Sequence, residues 1–261
     1  GMLKNDGYKD VTLIEPKDHH FYQPLWTLVG GGIKPVEESS RPMRKILASN
    51  TKWIQSSVST FDPDNNTVVL SNGTKVPYDY LVVAVGIIAS FDQIPGAVEA
   101  LNDPNSGVVS VYDYNYAAKT AKVVGAIKEG ERAIFTAPST PFKCPGAAQK
   151  IMWLLEEKAN EKKIRDKVSI EYWIPGEAMF GIPKYSKMLT ELADERGIVR
   201  NFKKQLVSVN SDHKSAVFYD PSTQLQITTN FDILHIVPPM YTPSCLHSSP
   251  LANAAGYVEV N

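Results

Sequence analysis

The sequence has 261 residues, of which 43% are hydrophobic and 21% are charged, and its formal net charge is −1. Such a chain can bury one substantial core or two smaller ones, and its scattered lysines and arginines exclude an electrostatic footprint for nucleic acid. Two cysteines and five irregularly spaced histidines predict neither a disulfide framework nor a metal site. The apolar runs fall far short of the roughly 18 residues that a transmembrane segment needs, so none is predicted.

Strand patterns dominate the first third of the chain. Four segments carry them, the third being a hairpin around Asn72 and Gly73: 11–15, 51–57, 67–76 and 80–85. The last is a continuous apolar run that stops at Gly86, which predicts a strand buried on both faces. Residues 41–47 predict a short helix with Ser40 as its N-cap.

From residue 94 onwards, strands alternate with amphipathic helices. Helices are predicted over residues 117–127, 146–158 and 183–196. Strands are predicted over residues 132–135, 168–174 and 231–237, and a β-ribbon over residues 206–210, 215–219 and 225–228.

This order predicts the α/β class, with two doubly wound, Rossmann-like dinucleotide-binding folds that carry β-ribbon inserts and are incomplete at both ends. The predicted domains are residues 1–93, residues 94–238, and a segment over 239–261 that returns toward the first domain.

Glu15 is the first candidate for ligand binding. It ends a predicted buried strand, where dinucleotide-binding folds place the acid that accepts hydrogen bonds from an adenosine ribose. An acid at this position is more often a solvated turn residue. The glycine-rich turn that would accompany it would lie upstream of residue 1, so the position alone leaves both interpretations open.

Cys144 is the main candidate for catalysis. It precedes a predicted helix, so free N–H groups and the positive end of the helix dipole lie nearby, and Lys143 adds a charge. These surroundings favour a nucleophilic thiolate. The alternative is a small buried hydrophobic residue, which is the commonest role of a free cysteine.

The turn before Cys144 lacks the motif that binds a pyridine nucleotide. In such enzymes the turn reads G-x-G-x-x-G, and its backbone N–H groups approach the pyrophosphate. Here Pro138 and Pro141 remove donors and add bulk, which predicts a dinucleotide-type fold that does not bind nicotinamide. Cys245 and the pair His19 and His20 are expected to be ordinary loop residues.

Several segments together resemble the sulfide:quinone oxidoreductases, especially those of mitochondria and related bacteria. The segments are residues 11–16, the aromatic run 20–30, and residues 141–152 around Cys144. The similarity continues through Val237-Pro238-Pro239-Met240 and residues 254–258, so it covers nearly the whole chain.

The resemblance implies an enzyme that binds FAD, oxidises hydrogen sulfide to sulfane sulfur held as a cysteine persulfide, and passes two electrons to ubiquinone. It implies that Cys144 is the catalytic cysteine that faces the flavin. The residues that it assigns to FAD binding are Glu15, Gln23, Val58, Ala84 and Gly86. It further implies a thiol or sulfite as sulfur acceptor and a peripheral position on the mitochondrial inner membrane or a bacterial cytoplasmic membrane.

Parts of the family pattern have no counterpart in this sequence. They are the N-terminal glycine-rich FAD turn, the second reactive cysteine, with which Cys245 does not align, and the C-terminal third with its membrane anchor. The chain by itself is therefore expected to bind FAD poorly and not to complete turnover. Three alternatives stay open: a quinone-linked NADH dehydrogenase, another pyridine nucleotide-disulfide oxidoreductase relative, and a truncated, inactive binding module.

Overall fold

The computed structural model describes residues 6–8, 10–49 and 51–260 of the chain. The described residues of 1–21, 40–88 and 241–261 form one compact unit, called unit 1 here. Those of 22–39 and 89–240 form unit 2. The aromatic segment 22–39 therefore clusters with the second unit, although it precedes the predicted boundary at residue 93.

The described part of the chain contains 17 strands and 7 α-helices. The strands are β1 (Val11–Ile14), β2 (His19–Phe21), β3 (Ser40–Pro42), β4 (Thr51–Ile54), β5 (Val58–Asp62), β6 (Thr67–Leu70), β7 (Lys75–Pro77), β8 (Ile88–Ala89), β9 (Val108–Val109), β10 (Arg132–Thr136), β11 (Ser169–Trp173), β12 (Val199–Asn201), β13 (Gln205–Asn210), β14 (Ser215–Asp220), β15 (Leu225–Asn230), β16 (Ile233–His235) and β17 (Met240–Tyr241). The helices are α1 (Trp26–Gly30), α2 (Met43–Ile46), α3 (Ala97–Asn102), α4 (Tyr114–Gly125), α5 (Gly146–Glu161), α6 (Pro183–Glu195) and α7 (Ser244–His247).

Unit 1 consists of small sheets around one apolar cluster. Strands β1 and β4 pair in parallel, β2 and β3 pair antiparallel, and β5, β6 and β7 form an antiparallel sheet that confirms the predicted hairpin. The buried centre of the cluster consists of Phe61, Val68, Leu70 and Leu246. Ile14 and Val58 pack against this centre, so the ends of several strands share one core.

The predicted strand over residues 80–85 is wrong. Leu81, Val83 and Val85 pack against the cluster, whereas Tyr80 and Val82 are 87% and 80% exposed. Among the described residues no strand pairs with this segment. A continuous apolar run looks the same in sequence whether one face is covered or both, and here only one face is covered.

Two further predictions in unit 1 are corrected by strand pairing. Ser40 is a residue of β3 opposite Phe21 rather than a helix N-cap, and α2 begins only after Pro42. The predicted strand 51–57 stops at Ile54, where the N–H of Ser56 donates to the Ile54 carbonyl and turns the chain before β5.

Unit 2 contains a five-stranded, all-parallel sheet in the order β12-β11-β10-β16-β9. The chain runs from β10 through α5 to β11 and through α6 to β12, which confirms the predicted βαβ pattern. Helix α5 buries Ala148, Ile151 and Leu155 completely, and side chains such as Ile and Leu contribute about 1.5 to 3 kcal/mol each when removed from water. The predicted α/β class is confirmed.

The predicted β-ribbon is also confirmed and forms a separate antiparallel sheet of β13, β14 and β15. The contact between this sheet and the start of α3 requires a glycine at position 96. Gly96 has φ +79°, and a Cβ atom there would lie 2.0 Å from the carbonyl oxygen of Val209 in β13. Only glycine therefore allows the start of α3 to approach the ribbon this closely.

Among the described residues, no helix is both long and apolar enough to cross a membrane.

A buried histidine lies at the carboxyl end of β16, a strand of the five-stranded parallel sheet of unit 2. His235 is fully buried in β16, and its ring stacks on Phe135 with the centroids 5.9 Å apart. The N–H of Val111 donates to His235 Nε2 at 3.3 Å, so Nδ1 carries the proton of the neutral ring, and it has no hydrogen-bond partner among the residues that the structure describes. Burial lowers the pKa of His235 to about 3, because the charged imidazolium would lose its hydration.

This pKa predicts that the protein loses stability in mild acid. Unfolding returns the pKa of the His235 imidazole to about 6.5. Between about pH 6.5 and pH 3, the unfolded chain therefore binds a proton at this residue that the folded chain does not bind. The free energy of unfolding should fall by up to about 1.4 kcal/mol per pH unit through this group alone. Urea unfolding of the wild type and of His235→Leu, compared at several pH values, should show a shallower acid dependence for the variant.

The exposed His213→Leu is the matched histidine control. Equal acid slopes for the wild type and His235→Leu would contradict the prediction.

Candidate functional site

Cys144 lies in the turn between β10 and α5, where the sequence predicts it. It is exposed, and its φ of +48° places it in the left-handed region. A non-glycine residue in this conformation costs roughly 1 to 2 kcal/mol, so the surrounding contacts must hold the turn.

Two hydrogen bonds end on the carbonyl oxygen of Cys144. The N–H of Ala147 donates at 2.9 Å, which closes the first turn of α5. The hydroxyl of Tyr112 donates at 3.0 Å from a segment that is 32 residues away in sequence. The turn is therefore tied both to its own helix and to the loop that follows β9.

A lysine ammonium lies beside the thiol. Lys150 Nζ is 4.0 Å from Cys144 Sγ, one helical turn into α5. Lys143, from which the sequence analysis expected the charge, places its ammonium over the Trp26 ring, 5.8 Å from the centroid. The positive charge at the sulfur thus comes from Lys150, and Lys143 links the cysteine turn to the aromatic segment.

Tyr112 and Lys150 were not found from the sequence. Lys150 could have been found by extending α5 from Cys144 and asking which side chains return to the same side of the helix. Tyr112 carries no comparable signal, because its contact with Cys144 depends on how β9 and β10 lie in the sheet.

The five residues predicted to bind FAD fall into two groups. Glu15, Val58, Ala84 and Gly86 lie in unit 1, and Gln23 lies in unit 2. Gln23 is exposed at the start of the short 3₁₀ turn that leads into α1. The residues in unit 1 lie around the same apolar cluster. Val58 packs against its buried centre, and so do the residues next to Glu15 and Ala84.

Glu15 has the geometry expected of a ribose-binding acid. It follows β1 directly, and its backbone is fixed on both sides: Glu15 N donates to the Ile54 carbonyl at 3.1 Å, and Trp53 Nε1 donates to the Glu15 carbonyl at 2.9 Å. Its Oε1 accepts from the N–H of Lys17 at 2.8 Å, which orients the carboxylate. The other oxygen can accept from a ribose hydroxyl.

The backbone at Gly86, also in unit 1, is accessible to a ligand on the side where a side chain would lie. Its φ is +72°, and a Cβ atom there would meet no atom within 4 Å. The residues present therefore fit the ribose of FAD at Glu15 and a close backbone approach at Gly86. The described residues of unit 1 contain no glycine-rich turn ahead of β1.

Comparison with known proteins supports the resemblance. The chain is 41% identical over 260 residues to the mitochondrial sulfide:quinone oxidoreductase of Dictyostelium discoideum, an alignment that covers 99% of this chain and 56% of that protein. The chain thus spans little more than half the length of this relative. No family model matches the chain.

Two solved structures share the fold. The sulfide:quinone oxidoreductase of Aquifex aeolicus superposes with a TM-score of 0.77 at 23% identity, over 94% of this chain and 57% of that one. A chain in the structure of the mitochondrial ATP synthase of Tetrahymena thermophila superposes with a TM-score of 0.84 at 19% identity, over 99% of this chain and 64% of that one. The resemblance to sulfide:quinone oxidoreductases is confirmed, and so is the oxidoreductase-type α/β fold.

The position of Lys150 predicts how Cys144 reacts. An anionic alkylating reagent such as iodoacetate should be attracted to the site, whereas neutral iodoacetamide should not. Lys150→Met should lower the ratio of the two alkylation rates of Cys144 roughly two- to fivefold, a modest effect because both side chains are exposed to water. The rates are measured by mass spectrometry in a Cys245→Ser background.

Lys158→Met is the matched control, because Lys158 lies on the same helix and pairs with Glu161. A rate ratio that changes as much in Lys158→Met as in Lys150→Met would rule out a local effect.

Proposed function

We propose that this protein takes part in the oxidation of hydrogen sulfide coupled to quinone reduction, with Cys144 as the residue that receives the sulfur. The observation that carries the proposal is an exposed thiol, held in a left-handed turn beside Lys150, within a chain that is similar to sulfide:quinone oxidoreductases along nearly its whole length. An accessible thiol near a cation is suited to attack electrophilic sulfur, and with a two-electron acceptor it can form an S–S bond with sulfide.

The proposed reaction balances in atoms and electrons. One S–S bond forms between Cys144 Sγ and the sulfur of hydrogen sulfide, which gives a persulfide. Two S–H bonds break, and the two electrons and two protons reduce a quinone to a quinol. A thiol or sulfite then takes the outer sulfur from Cys144 and regenerates the cysteine thiol.

We propose FAD as the cofactor, with Glu15 at the adenosine ribose and Gly86 lining the approach. Gln23, Val58 and Ala84 are the further proposed contacts. Bound FAD would supply a two-electron acceptor between the sulfur and the quinone. Ubiquinone is the proposed quinone, and a peripheral position on the mitochondrial inner membrane or a bacterial cytoplasmic membrane the proposed location.

The turn before Cys144 disfavours the alternative of an NADH dehydrogenase. A nicotinamide-binding turn uses glycine where the backbone approaches the pyrophosphate. Here Pro138 and Pro141 lie in the turn, and its left-handed position is occupied by Cys144 instead of glycine. The turn therefore lacks the glycines that allow a backbone to approach a pyrophosphate.

The fold leaves one second candidate, a binding module that keeps the scaffold without the chemistry. The fold is shared with a chain in the Tetrahymena mitochondrial ATP synthase structure, so the fold by itself does not require sulfide chemistry. The two candidates differ at Cys144: an interaction module has no need of its thiol.

A chimera tests the enzymatic proposal. This chain replaces the matching segment of the Dictyostelium sulfide:quinone oxidoreductase, and sulfide-dependent reduction of a soluble ubiquinone analogue is followed in detergent. In the chimera, Cys144→Ser should reduce turnover roughly a thousandfold or more, as expected when a nucleophile is removed.

Cys245→Ser is the matched control and should retain turnover, because Cys245 packs on the apolar cluster of unit 1. Flavin absorbance checks that each variant is loaded. Normal turnover by the flavin-loaded Cys144→Ser variant would refute the proposed role of the thiol.

Glu15 is tested by flavin affinity in the same chimera. Glu15→Ala removes a charged acceptor, and a hydrogen bond to a charged group contributes about 1.5 to 3 kcal/mol, so the Kd for FAD should rise roughly tenfold or more. Asp64→Ala, at an exposed turn of the same unit, is the control. The Kd is measured by fluorescence titration of the apoprotein, and equal values for the two variants would contradict the assignment.

A further inference from the structure

The cysteine turn depends on a side chain outside its own segment. Cys144 is held at a φ of +48°, and of the two donors on its carbonyl oxygen only the N–H of Ala147 belongs to the same turn and helix. The other donor is the hydroxyl of Tyr112, at 3.0 Å. The hydrogen bond from the Ala147 N–H is of a kind found at any helix start. It therefore does not by itself select the left-handed conformation of Cys144.

Tyr112 is a well-fixed donor. Its side chain is buried, with 4% of the residue exposed, and its ring lies 6.4 Å from the Phe142 ring and 6.3 Å from the His235 ring. Its N–H donates to Ser110 Oγ at 3.2 Å, and that hydroxyl donates to the Ile236 carbonyl at 2.8 Å. Tyr112 is thus tied to the carboxyl ends of β9 and β16.

The phenol also stays protonated. Burial raises the pKa of Tyr112 far above its usual range, and the proximity of Cys144 and Tyr172 raises it further. The hydroxyl therefore remains a donor at neutral and moderately alkaline pH.

We propose that Tyr112 is a positioning residue for Cys144: its hydroxyl holds the left-handed turn that brings the thiol next to Lys150. The inference rests on the proposed function for the importance of the thiol, but it concerns geometry that can be measured without turnover. The hydroxyl of Tyr112 donates to the backbone carbonyl of Cys144, which is a different atom from the sulfur. Tyr112 acts through the backbone carbonyl of the residue that carries the sulfur.

The test uses Tyr112→Phe, which keeps the ring and removes only the hydroxyl. In the 261-residue chain with Cys245→Ser, the ratio of Cys144 alkylation rates with iodoacetate and iodoacetamide should fall by roughly twofold or more, up to the roughly fivefold limit set by Lys150→Met, because the substitution acts only by moving the thiol away from that ammonium. A general loosening of the structure would raise both rates together and leave this ratio unchanged, so the ratio reports position.

A double-mutant cycle with Lys150→Met makes the inference specific. If Tyr112 acts by bringing the thiol to Lys150, Tyr112→Phe should have little further effect on the ratio once Lys150 is methionine. Tyr116→Phe is the matched control, because Tyr116 is a neighbouring tyrosine whose ring packs edge-on against Phe91. Circular dichroism establishes that each variant is folded.

An unchanged ratio in Tyr112→Phe, or effects of the two substitutions that simply add, would overturn the inference. A failure of the proposed function would look different. Full turnover by Cys144→Ser in the chimera would remove the catalytic role of the thiol and leave the alkylation result intact.

Discussion

The structure of unit 2 depends on the complete burial of its central strand, β10. Ala133, Ile134 and Phe135 have no exposed surface, because β11 and β16 pair with β10 on either side and α5 packs against it. Parallel strands require this cover, since both of their faces are apolar. All five strands then end at one edge of the sheet, and the loops that leave this edge carry Tyr112, Cys144 and the segment after His235.

The sequence was most informative where the periodicity of a segment matched its final environment. Helices α4, α5 and α6, the ribbon and the hairpin over residues 67–76 were predicted close to their observed bounds, because each has a clear apolar face or a strong turn. The segment 80–85 failed for the opposite reason. Its composition is that of a strand covered on two faces, and only the tertiary structure shows that Tyr80 and Val82 are uncovered. Ser40 failed because pairing with β2 outweighed its preference for a helix cap.

The residues of the candidate site also differ in whether nearby sequence could predict them. The place of Cys144 at a helix start could be predicted, because it depends on neighbouring residues in the chain. Its partner Lys150 lies within reach of the same local reasoning. Tyr112 does not, since it is 32 residues away and meets the turn only through the order of strands in the sheet. Local sequence thus identifies the candidate thiol, and the long-range fold supplies the Tyr112 hydroxyl that binds its turn.

The role proposed for the Cys144 thiol would place two conflicting requirements on it. It has to be open to small sulfur compounds, and an exposed side chain on a flexible turn would sample many positions. In this protein the conflict is resolved through the backbone: Cys144 is exposed, but its carbonyl is held by a buried phenol whose raised pKa keeps it a donor. The hydroxyl of Tyr112 therefore holds the turn that carries the thiol from outside that turn. A buried donor outside the reacting group provides rigidity without covering the thiol.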